Sequence, residues 1–225
     1  AFRLPRDEAA ADFLIRQQQP ENLIDKLWGP ICVAALNTPV EQASAQVFCN
    51  VLRDSLAGER ADSDLILNRA DLGLLLPDAA AAFVAGKGGV VETGRKVEAV
   101  GREAGGFRLA GLDIRAQRVV VATHPGRLAD LLGDLPGLEP VLEQVAGLAW
   151  QPILTLWLRF AAPVPFPFPM LGLGGGQAPW AFERDDLYPG LVALVISADG
   201  PHLARPPEDL RDEYLARPAA PVGPL

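Results

Sequence analysis

Residues 28–39 read Trp28-Gly29-Pro30-Ile31-Cys32-Val33-Ala34-Ala35-Leu36-Asn37-Thr38-Pro39. Glycine followed by proline disfavours continuation of a helix, so this stretch predicts that a short helix over residues 21–28 ends there. The apolar residues 30–36 then predict a small second helix or turn. Thr38 and Glu41 match a capping box with Pro39 at the first helical position, which predicts a longer helix behind them.

The apolar residues that follow support this longer helix, because they recur at helical spacing. They are Val40, Ala43, Val47, Phe48, Val51 and Leu52. Gly58 is placed to end the helix. Upstream, Asp7 is placed to cap a first helix that carries Ala10, and downstream Pro77 and Gly86 bracket another. The first 85 residues are therefore predicted to be helical.

The pattern changes to short alternating segments after residue 88. Residues 90–92 predict a short strand, and the segments 96–102, 107–110 and 114–122 predict an antiparallel meander. The last of these ends in four apolar residues, which is typical of a strand buried inside a larger sheet. Farther on, the predicted helices cover residues 125–132, 138–148 and 208–215, and the predicted strands cover residues 153–160, 180–183 and 191–197.

These elements predict an α+β organisation with intermixed parts. We assign residues 1–85 to a helical subdomain and residues 86–135 to a domain that carries the β-meander. Residues 136–216 are assigned to a second β-sheet, and residues 217–225 to a proline-rich tail.

The bulk composition disfavours several classes of function. The formal net charge is −8, which argues against nucleic acid and anionic membrane surfaces as general partners. No apolar run approaches the roughly 20 residues that a bilayer crossing needs, and no signal-peptide pattern is present. Cys32 and Cys49 lie in apolar sequence and predict two buried thiols, which favours a cytoplasmic location. Their spacing matches no zinc motif, so no metal site is predicted.

The sequence contains no motif of nucleophilic, phosphate-binding or metal-dependent catalysis, so any chemistry would come from a cofactor. No catalytic residue is assigned. Residues 172–176 look like a dinucleotide fingerprint, but no helix follows them, and we interpret them as a turn. Residues 183–186 are interpreted as a polar loop between strands. His124 follows an apolar strand, where a ligand could lie, although a histidine there is more often a helix-entry residue.

An apolar cavity is a further hypothesis. Trp180 begins a strand beside a glycine-rich turn, and together with Pro30, Ile31 and Leu36 it could line such a cavity. Ordinary core packing is the alternative for this tryptophan.

Residues 28–39, followed by residues 43–48 and 51–56, closely resemble the squalene-associated FAD-dependent desaturases, also called hydroxysqualene dehydroxylases. These enzymes belong to the flavin amine oxidase and phytoene desaturase superfamily. The segments 88–91, 97–100, 119–125, 151–158, 169–172 and 180–182 keep the order of that family. The resemblance runs from about Ala11 to about Tyr214.

The resemblance implies an FAD-dependent oxidoreductase of isoprenoid and hopanoid biosynthesis, which reductively removes the hydroxyl of hydroxysqualene to give squalene. It implies that the main chain of Val97 holds the adenine of FAD and that Ala122 and Thr123 lie beside its nucleotide portion. The domain over residues 86–135 would then be part of the FAD-binding domain.

The same resemblance implies a cavity for a long isoprenoid substrate, formed by the helical subdomain and the second sheet. The implied substrate-binding residues are Pro30, Ile31, Leu36, Asn37 and Trp180. It also implies peripheral contact at the inner face of the membrane. An exposed part of a flavin domain would leave an apolar patch, from which we expect self-association.

Some family features have no counterpart in this sequence, namely the strand, Gly-x-Gly-x-x-Gly turn and helix that cradle the pyrophosphate, and a closing glycine–aspartate segment. We therefore expect the chain to be an internal portion of an α/β flavoprotein that binds FAD weakly by itself. Two alternatives stay open: a phytoene or carotenoid desaturase-like member, and a non-catalytic fragment that binds hydrophobic ligands. Residues 36–39 favour the squalene branch.

Overall fold

The computed structural model describes residues 2–68, 70–173 and 179–216. The chain divides into two units, one formed by residues 1–75 with 151–225 and the other by residues 76–150. Helices and antiparallel sheets occur together, which confirms the α+β class. The tail over residues 217–225 and part of the glycine-rich turn, residues 174–176, lie outside the described residues.

The helices of the described residues are α1 (Ala10–Arg16), α2 (Glu21–Leu23), α3 (Gly29–Leu36), α4 (Ala45–Leu56), α5 (Leu72–Leu75), α6 (Pro77–Gly86), α7 (Leu128–Leu132), α8 (Glu139–Ala146) and α9 (Pro207–Ala216). The strands are β1 (Val100–Glu103), β2 (Gly106–Leu109), β3 (Ile114–Ala116), β4 (Ile153–Arg159), β5 (Met170–Gly172), β6 (Trp180–Glu183) and β7 (Leu191–Ser197).

The predicted helix end at residues 29 and 30 is wrong, because the chain continues from α2 into α3 through a π-helical turn, Ile24–Trp28. The Gly29 N–H donates to the Ile24 carbonyl, five residues back, so the hydrogen-bond pattern shifts where Pro30 has no N–H to offer. A Cβ at position 29 would lie 2.8 Å from that carbonyl oxygen, so the turn favours glycine.

The predicted capping box at Thr38 is also wrong, because α4 begins seven residues later, with Ser44 as its N-cap. The Ser44 hydroxyl accepts from the Val47 N–H at 3.0 Å and donates to Asp7 Oδ2 at 2.7 Å. Asp7 Oδ1 accepts from the Gln46 N–H at 2.9 Å, so Asp7 supports α4 and does not cap α1 as predicted.

The chain before α4 forms a separate turn, in which the Ala43 N–H donates to the Pro39 carbonyl, and it then pairs with another segment. The Ala10 N–H donates to the Ala43 carbonyl, the Ala45 N–H donates to the Glu8 carbonyl, and residues 9 and 44 form an isolated antiparallel bridge. This pairing removes residues 38–43 from the predicted helix. As a result Phe48 is fully buried while Val47, predicted on the same face, is half exposed.

The helices of the first unit enclose a small apolar cluster. Its buried members are Ala10, Leu14, Cys32, Ala43 and Phe48. The two cysteines are free and buried, as predicted.

The second sheet of the chain has four antiparallel strands in the order β4-β7-β6-β5. The predictions for β4, β6 and β7 are confirmed, and β5 lies in the segment 169–172, which the resemblance placed in the same sheet. One face packs against α9 through a buried cluster that consists of Leu156, Ala181, Val192, Leu194, Ile196, Leu210 and Tyr214. The other face carries Trp157, which is 55% exposed.

The unit over residues 76–150 contains the predicted antiparallel meander, with β2 paired to β1 and β3. The predicted strand at residues 90–92 is absent, and β3 ends at Ala116. Residues 119–122 form no strand and pair with none among the described residues, and Val120 is 91% exposed. The expected buried strand is therefore wrong for this part of the chain, because no neighbouring strand covers it.

In the described part of the chain, none of the helices combines the length and apolar character that a membrane crossing requires.

Replacing Ser44 by alanine tests the corrected start of α4. We expect Ser44→Ala to lower the free energy of unfolding by about 1 kcal/mol, because the Val47 N–H loses its acceptor. Thr38→Ala is the matched control, since the Thr38 hydroxyl donates only to the Leu36 carbonyl. Urea unfolding of both variants measures the difference, and an equal or larger loss in Thr38→Ala would contradict the assignment.

Candidate functional site

The described residues of each unit line a cavity. Cavity A lies in the unit formed by residues 1–75 and 151–225 and has a volume of about 350 Å³. Cavity B lies in the unit over residues 76–150 and has a volume of about 440 Å³.

Cavity A lies between the helical segment and one end of the four-stranded sheet. It is lined by Ile24, Asp25, Gly29, Pro30, Val33, Ala34, Pro39, Val40, Glu41, Trp180, Ser197, Ala198 and Asp199. The π-helical turn, α3 and the turn after it supply one wall. The start of β6, the end of β7 and the two residues after β7 supply the other. Its surface is apolar except at the carboxylates, Ser197 and the backbone.

The charges of cavity A are all negative. Asp25, Glu41 and Asp199 are exposed residues that border it, and the residues that line it include no lysine, arginine or histidine. Such a cavity suits an apolar ligand, or one with a positive or polar end at the acidic rim, and repels anions.

Cys32 lies in α3 behind cavity A and is fully buried. Burial raises the pKa of its thiol to about 11, and the negative charge of Glu41 contributes. The thiol is therefore neutral at ordinary pH, so it is unsuited to act as a nucleophile. Burial also raises the pKa of Cys49.

The structure brings together two of the five predicted substrate residues, since Pro30 and Trp180 both line cavity A. Ile31 and Leu36 pack against the buried helical cluster and do not line this cavity. Asn37 ends α3, and its carboxamide bonds to backbone groups of residues 151, 152 and 198. A substrate role for these five residues stays a prediction.

The three predicted cofactor residues, Val97, Ala122 and Thr123, all line cavity B. The remaining lining residues are Lys96, Val100, Leu109, Val119, Val120, Val121, Arg127 and Leu131. The Glu98 N–H bonds to the Ala110 carbonyl, and this pairing fixes the chain beside Val97. A cofactor role for the three residues stays a prediction as well.

The electrostatics of cavity B are opposite to those of cavity A. Lys96 and Arg127 are its charged lining residues, and the lining includes no carboxylate. Arg127 lies 3.6 Å from Asp130 in an exposed ion pair, which is weak and leaves the guanidinium available. Sequence reasoning missed both cations, because a single lysine or arginine in a polar loop carries no distinguishing pattern.

His124 serves the local fold. Its Nδ1 accepts from the Gly126 N–H at 3.2 Å at the start of the 3₁₀-helix Pro125–Arg127, and its ring lies 4.3 Å from that of Trp150. This confirms the helix-entry interpretation. The charged run at residues 183–186 likewise forms a structured turn, in which Arg184 pairs with Asp186 and Asp185 accepts from the Gly190 N–H.

His202, which the sequence analysis did not single out, is the unusual polar residue of the first unit. It is only 3% exposed, and neither ring nitrogen has a hydrogen-bond partner among the described residues. It lies in the 3₁₀-helix Pro201–Ala204, three residues after Asp199 of cavity A. Burial lowers its pKa, and the charge of Asp199 acts in the opposite direction.

Over the described residues, no three side chains of histidine, cysteine, aspartate or glutamate come together in a way that could hold a metal ion.

Comparison with known proteins gives a consistent result. The model of the family described as flavin containing amine oxidoreductase matches residues 6–217. The chain is 30% identical over 199 residues to a hydroxysqualene dehydroxylase of Rhodopseudomonas palustris. That match covers 85% of this chain and 44% of the relative, so the chain spans less than half the length of that relative.

The buried imidazole of His202 predicts a loss of stability in mild acid. The unfolded chain keeps the ordinary pKa of 6.5, whereas the folded chain has a lower pKa. Below pH 6.5 the unfolded chain therefore binds a proton at His202 more readily than the folded chain does. The free energy of unfolding thus falls as the pH decreases.

Urea unfolding at about pH 7.5 and about pH 5.5 checks this prediction. We expect His202→Leu to reduce the loss of stability between the two pH values, because an apolar side chain leaves no buried nitrogen to protonate. Leu203→Ala is the control at an exposed, non-titrating position of the same 3₁₀-helix and should keep the wild-type pH dependence. An unchanged pH dependence in His202→Leu would contradict the prediction.

Proposed function

The chain belongs to the family of flavin-containing amine oxidoreductases, and we propose that it is part of an FAD-dependent oxidoreductase that acts on a long isoprenoid alcohol. The unit over residues 76–150 would contribute to FAD binding, and the unit over residues 1–75 and 151–225 would contribute to substrate binding. The observation that carries this proposal is the pair of cavities with opposite charge, one in each unit.

Cavity B fits the nucleotide portion of FAD by its chemistry. Apolar side chains of residues 119–121 offer a surface for an aromatic base, and Lys96 and Arg127 offer positive charge to phosphate groups. Residues 119–122 pair with no strand among the described residues, so their backbone groups can bond to a ligand. Val97, Ala122 and Thr123 would contact the cofactor there.

Cavity A fits an isoprenoid chain, because Pro30, Val33, Ala34, Val40 and Trp180 present apolar surface to it. The hydroxysqualene dehydroxylase that resembles this chain suggests the class of substrate. In a reductive dehydroxylation the hydroxyl leaves as water after taking a proton, and a hydride replaces it on carbon; reduced flavin, when bound, would supply that hydride. The carboxylates at the rim would stabilise the positive charge that develops on that carbon.

The acidic rim also favours a second candidate substrate, an amine. Asp25, Glu41 and Asp199 beside Trp180 form a combination of carboxylates and an aromatic ring that attracts ammonium groups. The two candidates differ in the probe that should bind: the isoprenoid alcohol farnesol for the first, and the polyamine spermine for the second.

Removal of the cations tests cavity B as the nucleotide site. We expect Arg127→Ala and Lys96→Ala each to weaken binding of FAD by roughly tenfold, because each removes a positive charge that faces the phosphates. Arg95→Ala is the matched control, because Arg95 pairs with Glu92 and does not line the cavity. Quenching of flavin fluorescence during titration measures the dissociation constants.

If FAD binds equally well to all three variants, cavity B is not the nucleotide site. If the unmodified chain binds no FAD at the highest accessible concentration, cavity B is insufficient by itself.

Truncation of Trp180 tests cavity A as the substrate site. We expect Trp180→Ala to weaken farnesol binding by roughly tenfold through loss of apolar contact, with a smaller proportional effect on unfolding. Trp157→Ala is the control, because Trp157 is 55% exposed on the same sheet and does not line the cavity. Isothermal titration with farnesol and with spermine measures binding. Tighter binding of spermine than of farnesol would favour the amine as substrate. If Trp180→Ala reduces farnesol binding and stability in equal proportion, Trp180 acts only as an ordinary core residue.

A further inference from the structure

The ladder between β4 and β7 ends at the pair Ile153–Ser197. Continuing the same register would place Pro152 opposite Ala198 and residue 151 opposite residue 199. Proline has no N–H, so a further rung could not form both of its backbone hydrogen bonds. The groups at this end of the sheet therefore need other partners.

Asn37 supplies those partners from the end of α3. Its Nδ2 donates to the carbonyls of Gln151 at 3.0 Å and Pro152 at 3.3 Å, and its Oδ1 accepts from the Ala198 N–H at 2.7 Å. A carboxamide has the same donor and acceptor groups as a peptide unit. The side chain of Asn37 thus takes the place of a peptide between the two strand ends.

A second side-chain bond completes the arrangement, because Gln151 Oε1 accepts from the Asp199 N–H at 2.9 Å. The backbone is unusual at both ends of the Asn37 contact. Asn37 has φ 48° and Ala198 has φ 68°, both in the left-handed region. Asparagine tolerates this region, whereas alanine disfavours it, so Ala198 needs contacts that hold it there.

The position of Asn37 connects the two walls of cavity A. Pro30, Val33 and Ala34 of α3 line one wall, and residues 197–199 line the other. Asn37 itself does not line the cavity, and both polar ends of its side chain are bonded to backbone. We propose that Asn37 is a positioning residue, which fixes residues 197–199 against α3 and thereby sets the shape of cavity A.

Three variants separate this role from a general effect on stability. Asn37→Gly keeps the left-handed backbone and removes the carboxamide. Asn37→Asp keeps an acceptor for the Ala198 N–H and removes the donor to the two carbonyls. Gln18→Gly is the matched control, since Gln18 is an exposed residue with φ 56° just after α1 and lies outside cavity A.

The measurements are residue-resolved amide hydrogen exchange and titration with farnesol, both on the 225-residue chain. In Asn37→Gly we expect exchange at Ala198 to accelerate at least about tenfold and farnesol to bind roughly fivefold more weakly, while exchange at Phe48 in α4 stays near wild type. In Asn37→Asp we expect exchange at Ala198 to stay closer to the wild-type rate. Gln18→Gly should change neither quantity.

Unchanged exchange at Ala198 in Asn37→Gly would overturn the proposal. So would an equal acceleration throughout β4, β7 and α4, because Asn37 would then act only on global stability. If Asn37→Gly does not fold, Asn37→Asp decides, and a measurable acceleration of equal size at Ala198 and Phe48 counts against the proposal. The farnesol measurement rests on the proposed function. If the unmodified chain binds no farnesol, that function fails, and the exchange rates alone decide the role of Asn37.

Discussion

Two missing backbone N–H groups constrain the unit that contains cavity A, because positions 30 and 152 are prolines. At Pro30 the chain continues through the π-helical turn Ile24–Trp28, which shifts the hydrogen-bond pattern and lets α3 follow without a break. At Pro152 the β4–β7 ladder stops, and the carboxamide of Asn37 occupies the next position. The end of the helix and the end of the sheet are thus joined at one residue. Cavity A lies directly beside that junction.

Charge distinguishes the two cavities more sharply than size does. The lining of cavity A carries only carboxylates, and the lining of cavity B carries only cations, although the whole chain has a net charge of −8. A surface with excess acid would by default present carboxylates everywhere, so a cavity whose charged groups are both positive is selective for anionic groups. By its charge, cavity B suits phosphate-containing ligands better than cavity A does.

The sequence predicted elements well where their signals are local. Proline and glycine bracket α6 at the residues observed, and the apolar run of β7 is correctly placed. Elements that depend on distant partners were missed. The start of α4, for example, is set by Asp7 and by pairing of residues 43–45 with residues 8–10. The same limit applies to the site. The resemblance indicated Val97, Ala122 and Thr123, which the structure gathers at one cavity, but the isolation of His202 arises only from tertiary burial.

The buried titratable groups of the unit that contains cavity A, Cys32 and His202, are uncharged near neutral pH. Burial raises the pKa of Cys32 and lowers that of His202, so both side chains are neutral near pH 7. The charges of this cavity therefore come only from the exposed rim, where Asp25, Glu41 and Asp199 lie. A ligand with an apolar chain and a polar end gains most when the chain enters and the polar end stays at the rim, because a buried polar group without a partner is costly. The carboxylates at the rim would therefore favour one orientation of such a ligand, with its polar end outward.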